Sequence, residues 1–190
     1  HRGTFDSVLR SLNAATEFFD NPNAINLGEE NILYPGKMSV IDVAVPKGSQ
    51  FGSILLRHLL HRIVEAKTNQ KSDVPILIII DEVHQFYNSK SASDALGDLD
   101  TICRTGRSQK IGVIFASQNP EDMPSGISSV VNSKMFFKAD SSSIRQHGFN
   151  ISTTEMENLK KGFAAVSIHD MPQLKIIKFP LSVAGVFDKE

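Results

Sequence analysis

The stretch "VPILIIIDEVHQF", residues 74–86, places five consecutive apolar residues, 76–80, directly before Asp81 and Glu82. A run with no polar alternation is typical of a strand covered on both faces in a parallel sheet. Ligands of such sheets gather at the carboxyl ends of the strands. Two interpretations stay open for this stretch alone: an aspartate that holds magnesium followed by a catalytic base, as in nucleotide hydrolysis, or a strand that simply ends at a polar turn.

Size and composition limit the setting. With 190 residues, 41% of them apolar, the chain can bury one good core, which indicates one domain or part of one. No apolar run reaches 18 residues and the opening "HRGTFDSVLR" lacks a signal-peptide core, so we expect no membrane partner. The single cysteine, Cys103, excludes an internal disulfide and favours a reducing, cytoplasmic location. Because 20 basic residues balance 21 acidic ones, any DNA contact must be local or made by an assembled ring.

Predicted helices and strands alternate along the chain. Apolar periodicity predicts helices over 4–20, over 49–68 and through "LGDLDTICRTGR". Strands are predicted at 37–45, at 76–80, at 110–118, and in "SKMFFKAD", "GFAAVSIHD" and "LKIIKFPL", the last two joined by a turn at "DMPQ". This order favours an α/β fold with a mainly parallel sheet, helices on both faces, and an antiparallel pair at the end.

A phosphate-binding loop of the form G-x-x-x-x-G-K-[ST] is absent from this sequence. The nearest stretch, "NILYPGKMS", contains Gly36 and Lys37, but Asn31 stands at the first glycine position and Met38 at the hydroxyl position. The "PGK" triplet is better interpreted as a turn before a strand. The chain is therefore either not a complete nucleotide enzyme or the later part of one whose loop lies upstream, and we expect no ATP hydrolysis from it alone.

Three segments together resemble the later part of the HerA and FtsK superfamily of DNA-pumping ring ATPases, the HerA branch most closely. They are "SVIDVAVP", "ILIIIDEVHQF" and the long stretch from "CRTGRSQ" to "SSSIRQ", and the resemblance covers residues 37–146. It implies a partial RecA-like, P-loop NTPase-type three-layer fold. It also implies that Asp81 and Glu82 form the Walker B element, and that residues 117–120, "SQNP", carry the polar sensor.

The resemblance assigns a role to each residue. Asp81 is expected to hold Mg²⁺ through water, and Glu82 to orient and deprotonate the attacking water. Gln118 is expected to contact that water and the γ-phosphate. Asp81, Glu82 and Gln118 would therefore all bind ATP. The alternative for Gln118 is that it caps the helix or turn at "SQNP". Arg107, placed after a helix of residues 94–103 and before the sensor strand, is expected to act as an arginine finger on the next subunit.

A rival family shares part of this pattern, because "DEVH" also satisfies the D-E-x-H box of superfamily 2 helicases and "RTGR" is similar to their arginine motif. In those helicases that motif lies on a second domain, far downstream, whereas Arg104 and Arg107 follow Asp81 closely. No serine-alanine-threonine motif follows either. The spacing therefore argues against this family and predicts that His84 is a solvent-facing or loop-packing residue.

Other candidate residues carry a weaker signal. The spacing of His58, His61 and Glu65 can bind a metal, but a solvent edge of the helix is the favoured interpretation. Cys103 is interpreted as a half-buried thiol rather than a lowered-pKa one, and Arg104 as a partner of Asp98 or Asp100. Three cations near "SSS" are candidates for contact with DNA phosphates or for a solubilising surface: Lys134, Lys138 and Arg145.

The whole chain is accordingly predicted to be one partial RecA-like domain over residues 1–190. It would comprise a helical lead-in and connector (1–36), the Walker B and sensor core (37–146) and C-terminal strands (147–190). The resemblance implies an ATPase that moves along double-stranded DNA as a homo-oligomeric ring, a hexamer, in DNA end processing or pumping, with a possible nuclease partner. The alternatives are a non-catalytic binding or ring-assembly module, and a secretion or conjugation ATPase of the same superfamily.

Overall fold

The structure is a computed structural model that describes residues 2–20, 22–23, 28, 32–42, 49–69, 72–86, 92–123, 125–138, 144, 151–171 and 173–180. The chain divides into two compact units. The first comprises His1–Ile80 with Gln85–Ile114, and the second comprises Asp81–His84 with Phe115–Glu190. The sequence-based prediction of a single domain with three sections stays a prediction.

The first unit is built from helices and two adjacent strands. Its elements in chain order are α1 (Arg2–Phe19), α2 (Ser49–Thr68), β1 (Ile76–Ile80), α3 (Ala92–Gln109) and β2 (Ile111–Phe115), whose last residue already belongs to the second unit. At the start of the strand pair the Ile76 N–H donates to the Lys110 carbonyl at 3.0 Å, and beyond its end the Val83 N–H donates to the Ala116 carbonyl at 3.1 Å. Because both partners advance together along the chain, β1 and β2 are parallel.

The core of the first unit forms where α2 packs on α3. Apolar side chains three and four residues apart put one face of each helix into this contact. The buried side chains of this unit include Leu59, Leu60, Ile63, Ile80, Leu99 and Ile102. Phe19 of α1 meets Phe51 of α2 edge to face, with ring centroids 6.0 Å apart. The ammonium of Lys67 donates to the Val74 carbonyl, and burial lowers the pKa of this lysine.

The second unit contains an antiparallel sheet of three strands in the order β3 (Lys134–Phe136), β4 (Phe163–Ser167) and β5 (Lys175–Lys178). Two short helices, α4 (Ser125–Val130) and α5 (Thr153–Glu157), belong to the same unit. Its core consists of Ile144, Ile151, Met156, Leu159 and Ala165. The three late strands and the antiparallel pair predicted from sequence are confirmed, and β3 extends that pairing.

Two sequence-based predictions about strands are wrong for the described residues. Residues 37–42 form no strand, and the rest of the predicted strand, 43–45, lies outside the described residues. Met38 and Val40 are 84% and 81% exposed, so this apolar stretch is not covered by a neighbouring layer. In β1, Leu77 and Ile79 are each 60% exposed. The apolar run suits a strand with two covering layers, but the described residues cover only one face of it.

Candidate functional site

The turn that follows β1 sets the positions of the two acids. Glu82 has a left-handed backbone with φ of 48°, and the next residues, Val83–Phe86, form a 3₁₀ turn. A non-glycine residue in this conformation costs roughly 1–2 kcal/mol and persists where its neighbours fix it. Here the Glu82 N–H donates to Asp81 Oδ1 at 3.0 Å, and the Val83 N–H is held by the Ala116 carbonyl at 3.1 Å. These two bonds therefore fix the backbone between the end of β1 and the 3₁₀ turn.

Glu82 and Gln118, which follow β1 and β2 along the chain, are in direct contact. The Gln118 side-chain amide donates to Glu82 Oε1 at 2.5 Å. The turn at "SQNP" is closed by another residue, since the Asn119 side-chain amide donates to Asp122 Oδ2 at 3.0 Å. Gln118 therefore contacts the predicted catalytic acid and does not cap the turn. The roles assigned to Asp81, Glu82 and Gln118 stay predictions.

His84 lies against two acids, which fits the loop-packing alternative predicted for it better than the solvent-facing one. Its side chain is 33% exposed, and its Nδ1 lies 3.3 Å from Glu82 Oε2 and 3.9 Å from Asp122 Oδ2. Asp122 also accepts a bond from the Ser117 hydroxyl at 3.4 Å. Sequence analysis missed His84 and Asp122 as site residues. The available signal was their position, because each follows its strand end within a few residues.

Arg107 belongs to the first unit and is exposed in the last turn of α3. The prediction that it follows the helix is wrong, because α3 continues to Gln109 and ends where Lys110 takes a left-handed backbone with φ of 57°. Arg104 pairs with Asp100, its Nε 2.8 Å from Oδ2, as one of the two partners expected for it. The role of Arg107 stays a prediction.

Two of the three cations that are candidates for DNA contact lie among the described residues. Lys134 lies in β3 and is half-buried, Lys138 is exposed just beyond it, and Arg145 lies outside the described residues. Burial raises the pKa of the Cys103 thiol, and the nearby Asp100 carboxylate adds to the effect, so the half-buried interpretation is the better one.

Among the described residues no helix is long and apolar enough to span a membrane.

The residues at the end of β1 fit magnesium held through water. Asp81 is exposed there, and its carboxylate is the hard oxygen ligand that Mg²⁺ prefers. Within the described part of the chain no group of three histidine, cysteine or acidic side chains could hold a metal ion, which also removes His58, His61 and Glu65 as a site. Any magnesium bound here would therefore depend on water and nucleotide phosphates for its remaining ligands, as is usual for this ion.

Comparison with known proteins relates the chain to HerA. No family model matches it. It is 24% identical over 183 residues to the DNA double-strand break repair helicase HerA of Saccharolobus solfataricus, covering 90% of this chain and 36% of that protein. Identity to the HerA of Sulfurisphaera tokodaii is 25% over 166 residues, covering 79% and 33%. The chain thus spans about a third of the length of these relatives.

The solved structure of VirB4 shows the same kind of fold. VirB4 of Thermoanaerobacter pseudethanolicus matches with a TM-score of 0.51 and 16% identity, over 70% of this chain and 39% of that one. The genome packaging NTPase B204 of Sulfolobus turreted icosahedral virus 2, in complex with AMPPCP, matches with a TM-score of 0.49 and 16% identity, over 72% and 65%. The resemblance to the HerA and FtsK superfamily is confirmed: this chain is HerA-like in sequence and has, in part, the RecA-like α/β fold of a P-loop ATPase.

Proposed function

We propose that this chain is the later part of the motor domain of a HerA-type ring ATPase that couples ATP hydrolysis to movement along double-stranded DNA. The observation that carries the proposal is the 2.5 Å contact between Gln118 and Glu82 at the ends of two parallel strands. Relatives named DNA double-strand break repair helicases support the same assignment. The contact joins an acid able to act on water to an amide able to sense a phosphate.

The proposed chemistry divides the two acids. Asp81 accepts hydrogen bonds from water in the magnesium shell, which anchors the ion that neutralises the phosphates. Glu82 takes the proton of the attacking water. Its backbone is left-handed, so its side chain does not follow the alternation of β1. Gln118 holds Glu82 when no nucleotide is present and contacts the γ-phosphate and the water when ATP binds.

The assembled protein is proposed to be a hexameric ring acting in the cytoplasm, with a nuclease as a possible partner. Arg107 acts on the phosphate bound by the neighbouring subunit, and its exposure in the last turn of α3 supports such a contact. Lys134, Lys138 and Arg145 are candidates for contact with DNA phosphates, each adding attraction that falls as salt rises. The chain alone is proposed to be inactive, since its sequence contains no phosphate loop.

The test compares two substitutions in the full-length parent protein. Glu82→Gln should leave ATP affinity nearly intact and lower the rate of hydrolysis about 10²–10⁴-fold, because the carboxylate acts on water and not on bound ATP. Asp81→Asn should instead weaken magnesium-dependent binding. Single-turnover phosphate release measures the first effect, and titration with a fluorescent ATP analogue measures the second.

A matched control is Glu157→Gln, which removes the same charge at an exposed position of α5. It should change neither the rate of ATP hydrolysis nor the magnesium-dependent binding of ATP. Unchanged hydrolysis in both Glu82→Gln and Asp81→Asn would make the strand-end acids structural and would favour a non-catalytic module.

A further inference from the structure

Two polar side-chain atoms at the proposed catalytic site, one of them on the catalytic acid itself, are shielded from solvent and lack a hydrogen bond. They are Glu82 Oε2 and His84 Nδ1, which have no partner among the described residues and lie 3.3 Å from each other. Buried polar atoms are rarely left unpaired, and exceptions concentrate at sites that change during function. Catalytic hydrogen bonds also tend to be poorly aligned before the substrate binds. This pair therefore has the separation of a hydrogen bond but not its alignment.

The surroundings of His84 determine which of its nitrogens carries a proton. Nδ1 faces Glu82 Oε2 at 3.3 Å and Asp122 Oδ2 at 3.9 Å. Ionised carboxylates can only accept hydrogen bonds, so a nitrogen that faces two of them must be a donor, whether the ring is neutral or charged. Asp122 is itself held by Ser117 and Asn119. The proton on Nδ1 thus has Glu82 Oε2 as its nearer acceptor, while the more distant Asp122 is held by its own two donors.

Glu82 is contacted on both of its oxygens. Gln118 donates to Oε1 at 2.5 Å, and His84 approaches Oε2. If Gln118 turns to the γ-phosphate when ATP binds, Oε1 loses its donor at the moment when the carboxylate must be aligned with water. His84 can supply the remaining contact, because the Val83 N–H to Ala116 carbonyl bond ties down the backbone between the two residues.

We propose that His84 is a positioning residue for Glu82, whose Nδ1–H holds Oε2 and keeps the carboxylate oriented while Gln118 contacts the nucleotide. The inference rests on the proposed function, since it concerns how the proposed base is aligned. Each carboxylate oxygen has two lone pairs, so Glu82 can accept this bond and still take a proton from water. His84 itself contacts neither water nor nucleotide in this role.

The experiment replaces His84 in the full-length parent with three residues that differ in whether, and where, they carry a donor nitrogen. In His84→Asn the amide nitrogen stands close to the place of Nδ1, in His84→Gln it stands further out, near the place of Nε2, and in His84→Ala no donor remains. We expect Ala and Gln to lower the single-turnover rate of ATP hydrolysis about 10–100-fold, the range found for residues that orient a functional ligand. Asn should recover most of the rate, and ATP affinity and the midpoint of thermal unfolding should stay unchanged in all three.

Further outcomes separate this inference from the proposed function. In a Glu82→Gln background, His84→Ala should cause no additional loss, because residues that act as a unit are not additive. If Glu82→Gln abolishes hydrolysis while His84→Ala does not slow it, or if Asn performs no better than Ala, the positioning role is overturned and the proposed function stands. If Glu82→Gln leaves hydrolysis unchanged, both fail. Should the alanine variant not fold, the comparison of Asn with Gln decides.

Discussion

At the scale of single residues, the site depends on local geometry that the motif does not encode. The run "ILIIIDE" predicts the acids at the end of β1, and "SQNP" predicts Gln118 as a sensor, but the direct contact of Glu82 with Gln118 is seen only in the structure. The left-handed backbone of Glu82 was not predicted, because a positive φ is uncommon for residues other than glycine. The contact of His84 with Asp122 was also missed, since it joins side chains far apart in sequence.

Cys103 gives a prediction at this scale. Its burial raises the pKa of the thiol, Asp100 raises it further, and Arg104 opposes both. Since the thiolate is the reactive form, the folded protein should be alkylated by iodoacetamide more slowly at pH 7 than N-acetylcysteine, and its rate should rise only at higher pH. Arg104→Gln should slow the reaction further. The chain unfolded in urea should react like the free thiol, and equal rates for the folded and unfolded chain would contradict the prediction.

At the scale of secondary-structure elements, α3 and β2 approach each other closely at Gly106. A Cβ atom there would lie 2.6 Å from the Ile111 carbonyl oxygen, closer than side-chain carbons tolerate. In a sequence a glycine inside a helical segment often marks an end. Here it instead allows the helix to pass the start of the strand, and α3 continues to Gln109.

Gly106→Ala should therefore lower the free energy of unfolding by about 1–3 kcal/mol, the usual cost of an added methyl group in a packed site. The matched control is Gly3→Ala in α1, where an added Cβ meets nothing within 4 Å. That variant should be stabilised by up to about 1 kcal/mol, because alanine favours helix more than glycine does. Urea denaturation of both variants measures the difference. A stabilised Gly106→Ala would show that helix and strand separate more easily than this contact implies.

The elements themselves were largely predictable from periodicity, and the errors share a physical cause. Apolar spacing located α1, α2 and the late strands. In α2 the apolar side chains are buried, as at Leu60 and Ile63, whereas α1 leaves Phe5, Val8 and Leu12 exposed. The same signal cannot tell whether a covering layer is present. Met38, Val40 and Ile41 are apolar but lie in no strand, and β1 leaves Leu77 and Ile79 exposed. An apolar segment indicates that it packs against other elements in a complete sheet. The described residues contain only part of such a sheet.

At the scale of the whole molecule, the proposed ring forms each catalytic site from two subunits. In this proposal one subunit would supply Asp81, Glu82 and Gln118, and its neighbour would supply Arg107. A guanidinium that stabilises charge on the transferred phosphoryl group is worth about 10³–10⁵ in rate, so a subunit lacking it should be nearly inactive as a pure ring. The exposure of Arg107 on the last turn of α3 leaves it available to a second subunit.

Mixed rings test this arrangement directly. Arg107→Ala subunits and Glu82→Gln subunits should each be inactive alone, yet a mixture should regain hydrolysis, because a junction between them can combine wild-type Glu82 with wild-type Arg107. Turnover should be greatest near equal proportions and fall toward either pure mutant. If Arg107 acted within its own subunit, no junction could be complete and every ratio would stay inactive. Exchange of subunits is verified with fluorescently labelled protein, and absence of recovery despite exchange would leave Arg107 as a surface or DNA-contacting charge.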